Sequence, residues 1–244
     1  MTEYHGVPIS FGGGINSTAM IIMLVEQGWH GEIIFSDTGC EWPETYCYMD
    51  YFEKEWLAPR GLPVTVLKGM PWHRKSQGRS LIEYCEYGHV IPMMAVRWCT
   101  IGWKINPVEK YAGKTLIGIA ADEAHRQKDR MCPLCDEGIT RHGCIDIIKT
   151  AGLDVPQKSG CYICPFMRKA QWRELWSRHP ELYARAEAIE ANTPRTKKGH
   201  SRVTLDPSGK VTLAQLRDGF ERQIDLPGFD MDDLLEYQPC TCGL

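Results

Sequence analysis

Two Cys-x-x-Cys pairs are the first residues in this sequence whose type and spacing can support chemistry. One is Cys161–Cys164 within KSGCYICPF, and the other is Cys132–Cys135. The spacing lets two thiolates reach one metal ion, and Gly160 permits a tight turn before the first pair. Two thiols this close also suit redox chemistry. Spacing alone therefore leaves an iron–sulfur cluster, zinc and a redox pair open.

The number of cysteines indicates the environment in which these thiols act. The chain has 11 cysteines, an odd number, and its first residues, MTEYHGVP, lack the basic and apolar regions of a secretory signal. We therefore expect a cytoplasmic protein with reduced thiols and no disulfide framework. Cys47 and Cys85 lie in predicted helices, where we expect them to be small buried hydrophobic residues.

The second candidate site is the glycine-rich stretch ISFGGGINSTAM at residues 9–20. Glycines between a strand and a helix let backbone N–H groups face an anion, and the helix start adds partial positive charge. Ser17 and Thr18 can cap the helix and donate their hydroxyls to a phosphate. The loop has neither the Walker spacing nor the dinucleotide glycine pattern. It predicts either a phosphate cradle or a tight structural turn.

Alternating strands and helices are predicted to position this loop. Apolar runs predict strands at 7–11, 31–39, 63–68 and 115–123. Helical patterns occur at 17–28, 43–61, 78–87, 105–113, 168–192 (broken at Pro180) and 212–223. Strand–helix alternation of this kind predicts an α/β fold, with a parallel sheet and helices on both faces. Residues 124–165 show no clean periodicity.

Length and composition limit the class of protein. The chain has 244 residues, 43% of them hydrophobic and 24% charged, with a formal net charge of −3. These values are ordinary for a globular protein and require no nucleic-acid partner through overall charge. No apolar run approaches the ~18 residues of a membrane span. We predict a nucleotide-binding α/β domain at 1–126, with a Cys-rich and helical C-terminal region at 127–244 packed on it.

Four segments, in order, resemble the motifs of a known family. SFGGGINST resembles the PP-loop of the adenine nucleotide alpha-hydrolase superfamily, usually Ser-Gly-Gly-x-Asp-Ser. FSDTGCEWPET at 35–45 resembles the Asp-Thr-Gly…Pro-Glu-Thr motif of its PAPS reductase branch. RWCTIGWKINPVEKY at 97–111 and GIAADEAHR at 118–126 resemble that branch's Cys-Thr…Lys…Pro and Gly-Ile-Arg-x-x-Glu-Ser-x-x-Arg segments. The resemblance implies the superfamily's α/β fold.

The resemblance also implies an adenine nucleotide: ATP, adenylyl sulfate or PAPS, with Mg²⁺ left open. The residues it implies for nucleotide binding are Ser10, Gly12, Gly13, Gly14, Asn16, Ser17, Thr18, Asp37, Thr38, Gly39, Glu123 and Arg126. Those to which we assign a catalytic role are Lys104, Asp37 and Cys242. Asp37 follows a predicted strand, where open α/β sheets bind ligands, and its alternative role is a loop cap.

The segments implied in nucleotide binding depart from the family pattern at three positions. Asn16 replaces the usual Asp, and Ala120 and Ala124 stand where the family often has Arg and Ser. The missing carboxylate puts ordinary ATP hydrolysis in doubt. The missing arginine puts recognition of a 3′-phosphate or sulfate in doubt.

The resemblance further implies a 4Fe-4S cluster, since adenylyl-sulfate reductases bind one through a Cys–Cys pair and a later Cys-x-x-Cys. Trp98 replaces the first member of that pair, which leaves Cys99 with Cys161 and Cys164. Such a cluster normally takes four thiolates, and Cys144 is our candidate for the fourth. By spacing alone, zinc suits these ligands equally well.

Two cysteine-containing segments remain outside this cluster. The other Cys-x-x-Cys, Cys132–Cys135, is a redox pair, a feature without chemistry, or a Cys3His zinc site with His142 and Cys144. The last residues, PCTCGL, resemble the C-terminal Glu-Cys-Gly-Leu/Ile-His motif that supplies the nucleophile of sulfonucleotide reductases. Thr241 replaces the Glu and the His is absent, so Cys242 is either a mobile nucleophile or an inert end.

Three functions follow as hypotheses. The first is a PAPS or adenylyl-sulfate reductase-like enzyme, with a reducing thiol protein as a further partner. The second is an ATP-dependent sulfurtransferase that adenylates and thiolates a nucleic acid, favoured by the retained Gly-Gly-Gly-x-Asn-Ser-Thr loop. The third is a nucleotide or redox sensor that has lost turnover, to which Asn16 and Ala120 give weight. Nucleotide and acceptor identity and the oligomeric state stay open.

Overall fold

The fold is built on a parallel sheet, seen in a computed structural model that describes residues 4–68, 78–194 and 204–223. Its four strands lie in the order β3-β2-β1-β4. They are β1 (Ile9–Phe11), β2 (Ile33–Asp37), β3 (Val64–Lys68) and β4 (Leu116–Ile117). Ile9 of β1 is in register with Ile33 on one side and Leu116 on the other. The predicted α/β class with a parallel sheet is confirmed.

Helices follow each strand and continue into the C-terminal half. The α-helices are α1 (Ile15–Glu26), α2 (Pro43–Phe52), α3 (Leu81–Gly88), α4 (Trp98–Thr100), α5 (Asn106–Ala112), α6 (Pro133–Asp136), α7 (Arg141–Thr150), α8 (Lys169–Arg178), α9 (Pro180–Asn192) and α10 (Leu213–Gln223). π-helical turns continue α2 (Glu53–Leu57) and α4 (Ile101–Ile105), and 3₁₀ turns cover Ala58–Arg60 and Ala121–Arg126. None of these helices has the length and apolar character that a bilayer crossing requires.

Burial explains why the first strand and the first helix are easily recognised in the sequence. All three residues of β1 are buried, as in a parallel sheet covered on both faces. Helix α1 is buried from Ile15 through Leu24 and so lies in the interior, which accounts for its almost continuous apolar sequence. The loop between these two elements is therefore held by the most buried part of the chain.

Two hydrophobic clusters form the core. The first surrounds the sheet and includes α1, Phe52 and Trp56, together with Cys144 and Ile148 of α7. The second joins Trp103 and α3 to α8, α9 and α10. The predicted domain boundary after residue 126 stays a prediction, and the clusters do not follow it. Helix α7 belongs to the first cluster, and Cys40 and Trp42 belong to the second.

Helix α7 is the longest described helix that the sequence did not indicate. Only Cys144 and Ile148 of its ten residues are fully buried, one turn apart on one face. A polar surface surrounds this narrow apolar stripe, and Gly143 interrupts it. Such a helix forms because Cys144 and Ile148 pack into the first cluster beside α1, a contact that sequence periodicity does not record.

Candidate functional site

The glycine loop closes on its own backbone at the start of α1. Gly14 is the residue before the helix, and no side chain caps the helix end. Ser17 Oγ accepts a hydrogen bond from the Gly12 N–H at 3.3 Å and donates one to the Gly14 carbonyl at 3.1 Å. The prediction that Ser17 or Thr18 caps α1 is therefore wrong. Ser17 braces the loop instead, and Thr18 is fully buried.

Two glycines allow the loop to pack closely on its surroundings. Gly13 has a φ of +68°, in the left-handed region, and an added Cβ would lie 2.9 Å from Thr45 Cγ2. A Cβ on Gly118, just after β4, would lie 2.7 Å from the backbone N and Cα of Ser17. No side chain fits at Gly118, so the end of β4 supports the loop by direct backbone contact.

An open cleft borders the loop, and its charged side chains are mostly basic. Its walls are Ser10, Gly12, Gly14, Ile15, Asn16, Ser17, Lys104, Ile117, Gly118, Ile119, Glu123, Arg126, Arg141, Lys158 and Ser159. These include two lysines and two arginines against one carboxylate. Backbone N–H groups at a helix start combined with guanidinium groups suit a phosphate or a sulfate.

Glu123 organises the polar wall of this cleft. Its side chain is 4% exposed and pairs with Arg126 at 3.0 Å. Asn16 Nδ2 donates to the other Glu123 oxygen at 3.2 Å, and Arg141 Nη1 donates to Asn16 Oδ1 at 3.5 Å. An Asp at position 16 would set a second carboxylate against Glu123. Asn16, which replaces the superfamily's usual Asp, therefore suits a position between Glu123 and Arg141.

Lys104 connects the cleft to a second pocket. Its ammonium nitrogen lies 2.9 Å from Glu41 Oε1. The same oxygen accepts a hydrogen bond from Thr38 Oγ1 at 3.0 Å and lies 3.4 Å from Cys161 Sγ. Lys104 belongs to the walls of both the cleft and the second pocket. The lysine therefore lies between the basic cleft and a group of thiols.

The second pocket, which we call the thiol pocket, brings three of the predicted metal ligands together. Cys99, Cys161 and Cys164 all line it. Its other walls are Thr38, Leu81, Pro92, Thr100, Lys104, Ile163, Pro165 and Phe166. A single antiparallel bridge between Glu41 and Cys161 joins the loop after β2 to the Cys-x-x-Cys segment. The thiols are thus mostly surrounded by apolar groups.

Cys40 and Cys85 are two further buried thiols, and both interact electrostatically with Cys161 of the thiol pocket. Cys85 lies one helical turn after Leu81 in α3, on the same face. Burial raises the pKa of the Cys85 thiol, and its neighbours Cys99 and Cys161 add to the rise. Burial and then Cys161 raise the pKa of the Cys99 thiol in the same way. Thiols in such surroundings stay protonated unless a positive centre joins them.

The donor chemistry of the thiol pocket fits an iron–sulfur cluster or a soft metal ion. Thiolates are the ligands of both, and the pocket is largely apolar. In the described ranges, however, no three His, Cys, Asp or Glu side chains are close enough to hold a metal ion as they stand. The thiols share a pocket without converging on one point, so binding requires side-chain rotation.

The structure does not bring Cys144 to the thiol pocket, which corrects the expectation that it is the fourth ligand. Cys144 is 0% exposed on α7, within the first hydrophobic cluster. The other three predicted ligands pack against the second cluster. Burial raises the pKa of Cys144 to about 12. Cys144 is a small core residue, whereas Cys85 interacts electrostatically with Cys99 and Cys161. Cys47, which was expected to be buried like Cys85, is exposed.

The alternative zinc site is not assembled either among the described residues. The side chain of His142 is 86% exposed and lies near Asp146, whereas Cys144 is fully buried. Cys135 Sγ donates to the Ile119 carbonyl at 3.2 Å, and burial raises the pKa of Cys132 to about 12. Cys135 therefore supports the backbone at Ile119, which lines the cleft, and Cys132 is a buried core residue.

Three predicted nucleotide-binding residues lie at the end of β2 and in the turn that follows it, and only Thr38 of these lines the cleft or the thiol pocket. Asp37 Oδ1 accepts hydrogen bonds from the Gly39 N–H at 2.8 Å and from the Tyr46 hydroxyl at 2.6 Å. Burial, followed by the Asp37 carboxylate, raises the pKa of Tyr46, which keeps that hydroxyl a donor. These contacts match the loop-cap alternative for Asp37.

The other nucleotide-binding predictions fall mostly on the cleft. Seven of the residues predicted to bind a nucleotide line the cleft: Ser10, Gly12, Gly14, Asn16, Ser17, Glu123 and Arg126. Gly13 and Thr18 do not. The sequence motifs did not mark Arg141, Glu41 or Ser159 as residues of these pockets. Arg141 lies in no recognisable motif, whereas Glu41 lies within the segment FSDTGCEWPET, to which the resemblance assigned other residues. The predicted nucleophile Cys242 lies outside the described residues.

Comparison with known proteins agrees with this geometry. Residues 6–128 match the phosphoadenosine phosphosulfate reductase domain family. An uncharacterized protein of Methanocaldococcus jannaschii is 24% identical over 203 residues, which is 73% of this chain and 46% of the relative. An uncharacterized nin region protein of Escherichia phage lambda is 31% identical over 153 residues, half of each chain.

This chain spans about half the length of the curated relatives that it matches. The family match covers the sheet, the glycine loop, Lys104 and the Glu123–Arg126 pair. The chain belongs to the phosphoadenosine phosphosulfate reductase domain family, within the PP-loop adenine nucleotide alpha-hydrolase superfamily.

Proposed function

We propose that this protein is an adenine-nucleotide-dependent enzyme of sulfur chemistry, acting like a PAPS or adenylyl-sulfate reductase. One observation carries the proposal: Lys104 lines both the basic cleft and the thiol pocket. A nucleotide whose phosphate lies in the cleft would present a sulfur attached to that phosphate towards Lys104 and the thiols. An enzyme that only hydrolyses nucleotides has no need of thiols at that position.

The cleft supplies the binding part of the proposal. The first N–H groups of α1 have no partner within the helix, and Arg126, Arg141 and Lys158 add positive charge. Glu123 neutralises part of that charge and fixes the direction of the Arg126 guanidinium. This arrangement orients a phosphate by several donors at once, which also makes binding sensitive to ionic strength.

The thiol pocket supplies the second part. Cys99, Cys161 and Cys164 would hold an iron–sulfur cluster. Cys85 would be the fourth thiolate, because it is buried and interacts electrostatically with Cys99 and Cys161. When bound, a cluster supplies local electrostatics and fixes the position of the reacting groups. Lys104 and Thr38 would donate hydrogen bonds at the boundary between the pocket and the cleft.

The proposed reaction is nucleophilic attack on sulfur. A cysteine thiolate, assigned to Cys242, attacks the sulfur atom of the bound sulfonucleotide. The sulfur–oxygen bond to phosphate breaks, and AMP or its 3′-phosphate leaves with the electron pair. A second thiol then attacks the resulting cysteine S-sulfonate, which yields a disulfide and sulfite. A reducing thiol protein or small thiol supplies the two electrons and restores the enzyme.

The test is to supply anaerobically purified protein with adenylyl sulfate, PAPS or ATP, in separate reactions with a thiol reductant. We expect sulfite and the matching nucleotide from one of the sulfonucleotides. Cys242→Ser should abolish sulfite release while the nucleotide still binds in calorimetry. Full sulfite release by the Cys242→Ser protein would exclude this nucleophile. Tight binding of a nucleotide without turnover would favour the hypothesis of a nucleotide sensor that has lost its catalytic activity.

The second candidate is ATP-dependent thiolation of a nucleic acid. Arg126, Arg141 and Lys158 surround the loop, which gives enough positive charge for a triphosphate. In that reaction ATP adenylates a carbonyl oxygen, and sulfur then displaces AMP. Pyrophosphate release should survive truncation after Pro239, since adenylation takes place without the tail. ATP-dependent pyrophosphate release by the truncated chain would replace the reductase proposal with this one.

A further inference from the structure

We propose that Glu41 is a positioning residue that holds the Lys104 ammonium at the thiol pocket and away from the phosphate in the cleft. The inference rests on the proposed function, because it divides the cations of that site between phosphate and sulfur. The motif resemblance assigned no role to Glu41.

The contacts of Glu41 are directed to the thiol side. Its side chain is 1% exposed, and Oε1 lies 2.9 Å from the Lys104 nitrogen. That oxygen also accepts from Thr38 and lies within 3.4 Å of Cys161 Sγ. The Trp42 N–H donates to the Gly160 carbonyl at 2.9 Å, and the Tyr162 N–H to the Cys40 carbonyl at 2.9 Å. The backbone on both sides of Glu41 is therefore hydrogen-bonded to the segment around Cys161, which fixes the position of the carboxylate.

Stability does not explain a carboxylate at this position. Glu41 Oε2 is buried and has no hydrogen-bond partner among the described residues. A buried ion pair costs desolvation, and apolar replacements of similar size are often as stable. A buried carboxylate oxygen without a donor adds to that cost. The benefit of Glu41 therefore lies in where it directs the charge of Lys104.

The cleft has enough positive charge without Lys104. Arg126, Arg141 and Lys158 line it independently of Glu41. The flexible stem of Lys104, whose side chain is 23% exposed, would let its ammonium turn to a bound phosphate if Glu41 did not hold it. Glu41 reserves this cation for the sulfonate that meets the attacking thiolate, where an ammonium group reduces the repulsion between the two anions.

The test measures the binding of ATP and of inorganic pyrophosphate by calorimetry. Glu41→Gln keeps the size and hydrogen-bonding capacity of the side chain but releases Lys104, so pyrophosphate should bind at least about threefold more tightly. In the Lys104→Met background the same change should have no effect. Glu41→Asp, which keeps the charge, should stay within about twofold of wild type. In turnover, Glu41→Gln should lower both KM and kcat.

A folded Glu41→Gln protein with weaker or unchanged pyrophosphate binding would overturn the inference. So would an equal effect in the Lys104→Met background, since Glu41 would then act independently of the lysine. If Glu41→Gln does not fold, Lys104→Met alone decides: a loss of affinity above about tenfold would place Lys104 at the phosphate. Wild-type protein that binds neither ATP nor pyrophosphate nor a sulfonucleotide would instead refute the proposed function, and the inference with it.

Discussion

At the scale of single residues, the charge balance around Asn16 determines which side chain the loop accepts. Asn16 donates to buried Glu123 and accepts from Arg141. Asn16→Asp removes the donor and adds a negative charge next to Glu123, so we expect a loss of about 1–3 kcal/mol in the free energy of unfolding. Urea denaturation at neutral pH measures it. The double variant Asn16→Asp/Glu123→Gln, which restores one donor and one carboxylate, should recover part of the loss. An Asn16→Asp protein with the same free energy of unfolding as the wild type would contradict this charge argument.

Gly118 is the second residue whose identity is fixed by its surroundings. Its φ lies outside the left-handed region, so backbone conformation does not require glycine, but a Cβ would meet the Ser17 backbone at 2.7 Å. Gly118→Ala should push the loop out of place, reduce nucleotide affinity at least about tenfold and destabilise the fold by roughly 1–3 kcal/mol. Gly219→Ala is the matched control, since nothing lies within 4 Å of its added Cβ. Calorimetry with ATP and sulfonucleotides compares them, and equal affinities would refute the argument.

Residues of the site could be predicted where a local pattern marks them and not elsewhere. The glycine loop was readable because a strand, three glycines and a helix follow one another in the chain. Arg141 reaches Asn16 from a helix that forms only through tertiary packing, so no local signal gave its position. Cys144 was chosen as a ligand from its place along the chain, whereas burial in the first cluster decides its role.

At the scale of elements, Glu44 ties the start of α2 to the break between α8 and α9. It lies 2.8 Å from both Arg178 and His179. The break at Pro180 was predicted from the sequence because proline cannot continue a helix interior. The partner of that break could not be predicted, because Glu44 and His179 are far apart in the chain. This contact fastens the Asp-Thr-Gly…Pro-Glu-Thr segment to the second cluster.

The Glu44 contact predicts a pH-dependent stability. Burial opposes ionisation of Glu44, but its hydrogen bond to His179 and the nearby Arg178 outweigh it, and the pKa of Glu44 is lowered. The stabilisation is therefore present above the unfolded-state pKa and is lost as pH falls through the lower native pKa. Glu44→Gln should cost about 1–2 kcal/mol at pH 7, and the difference from wild type should shrink below pH ~4. Denaturation across pH 3–7 tests this, with the exposed Glu55→Gln as control; a pH-independent difference would contradict it.

At the scale of the whole molecule, the site lies where the two hydrophobic clusters meet. The glycine loop belongs to the first cluster, and Cys99, Cys161 and Cys164 pack against the second. Sequence reasoning identified the sheet and the family but divided the chain after residue 126. Long-range packing of α7 and of Cys40 does not follow chain order, so no boundary in the sequence describes the two clusters. Function at this junction would depend on how firmly they are joined.

An iron–sulfur cluster in the thiol pocket would bridge chain segments that pack in the second hydrophobic cluster, which gives a test of the metal assignment that does not use activity. Cys99 and the Cys161–Cys164 pair are distant in the chain, so bridging them restricts the unfolded state as well as stabilising the native one. Anaerobic iron–sulfur reconstitution should raise the thermal midpoint of the wild type by at least about 5 °C. Cys161→Ser should abolish the increase, and Cys85→Ser should reduce the iron bound per chain.

Cys144→Ser is the control that distinguishes a metal ligand from a residue of the hydrophobic core. It places a hydroxyl in a fully buried apolar position, so it should lower the midpoint of both the metal-free and the reconstituted protein. The increase on reconstitution and the iron content should nevertheless equal those of the wild type, because Cys144 belongs to the other cluster. Loss of iron from a folded Cys144→Ser protein would return Cys144 to the ligand set. Unchanged iron in Cys161→Ser would remove the metal from the thiol pocket altogether.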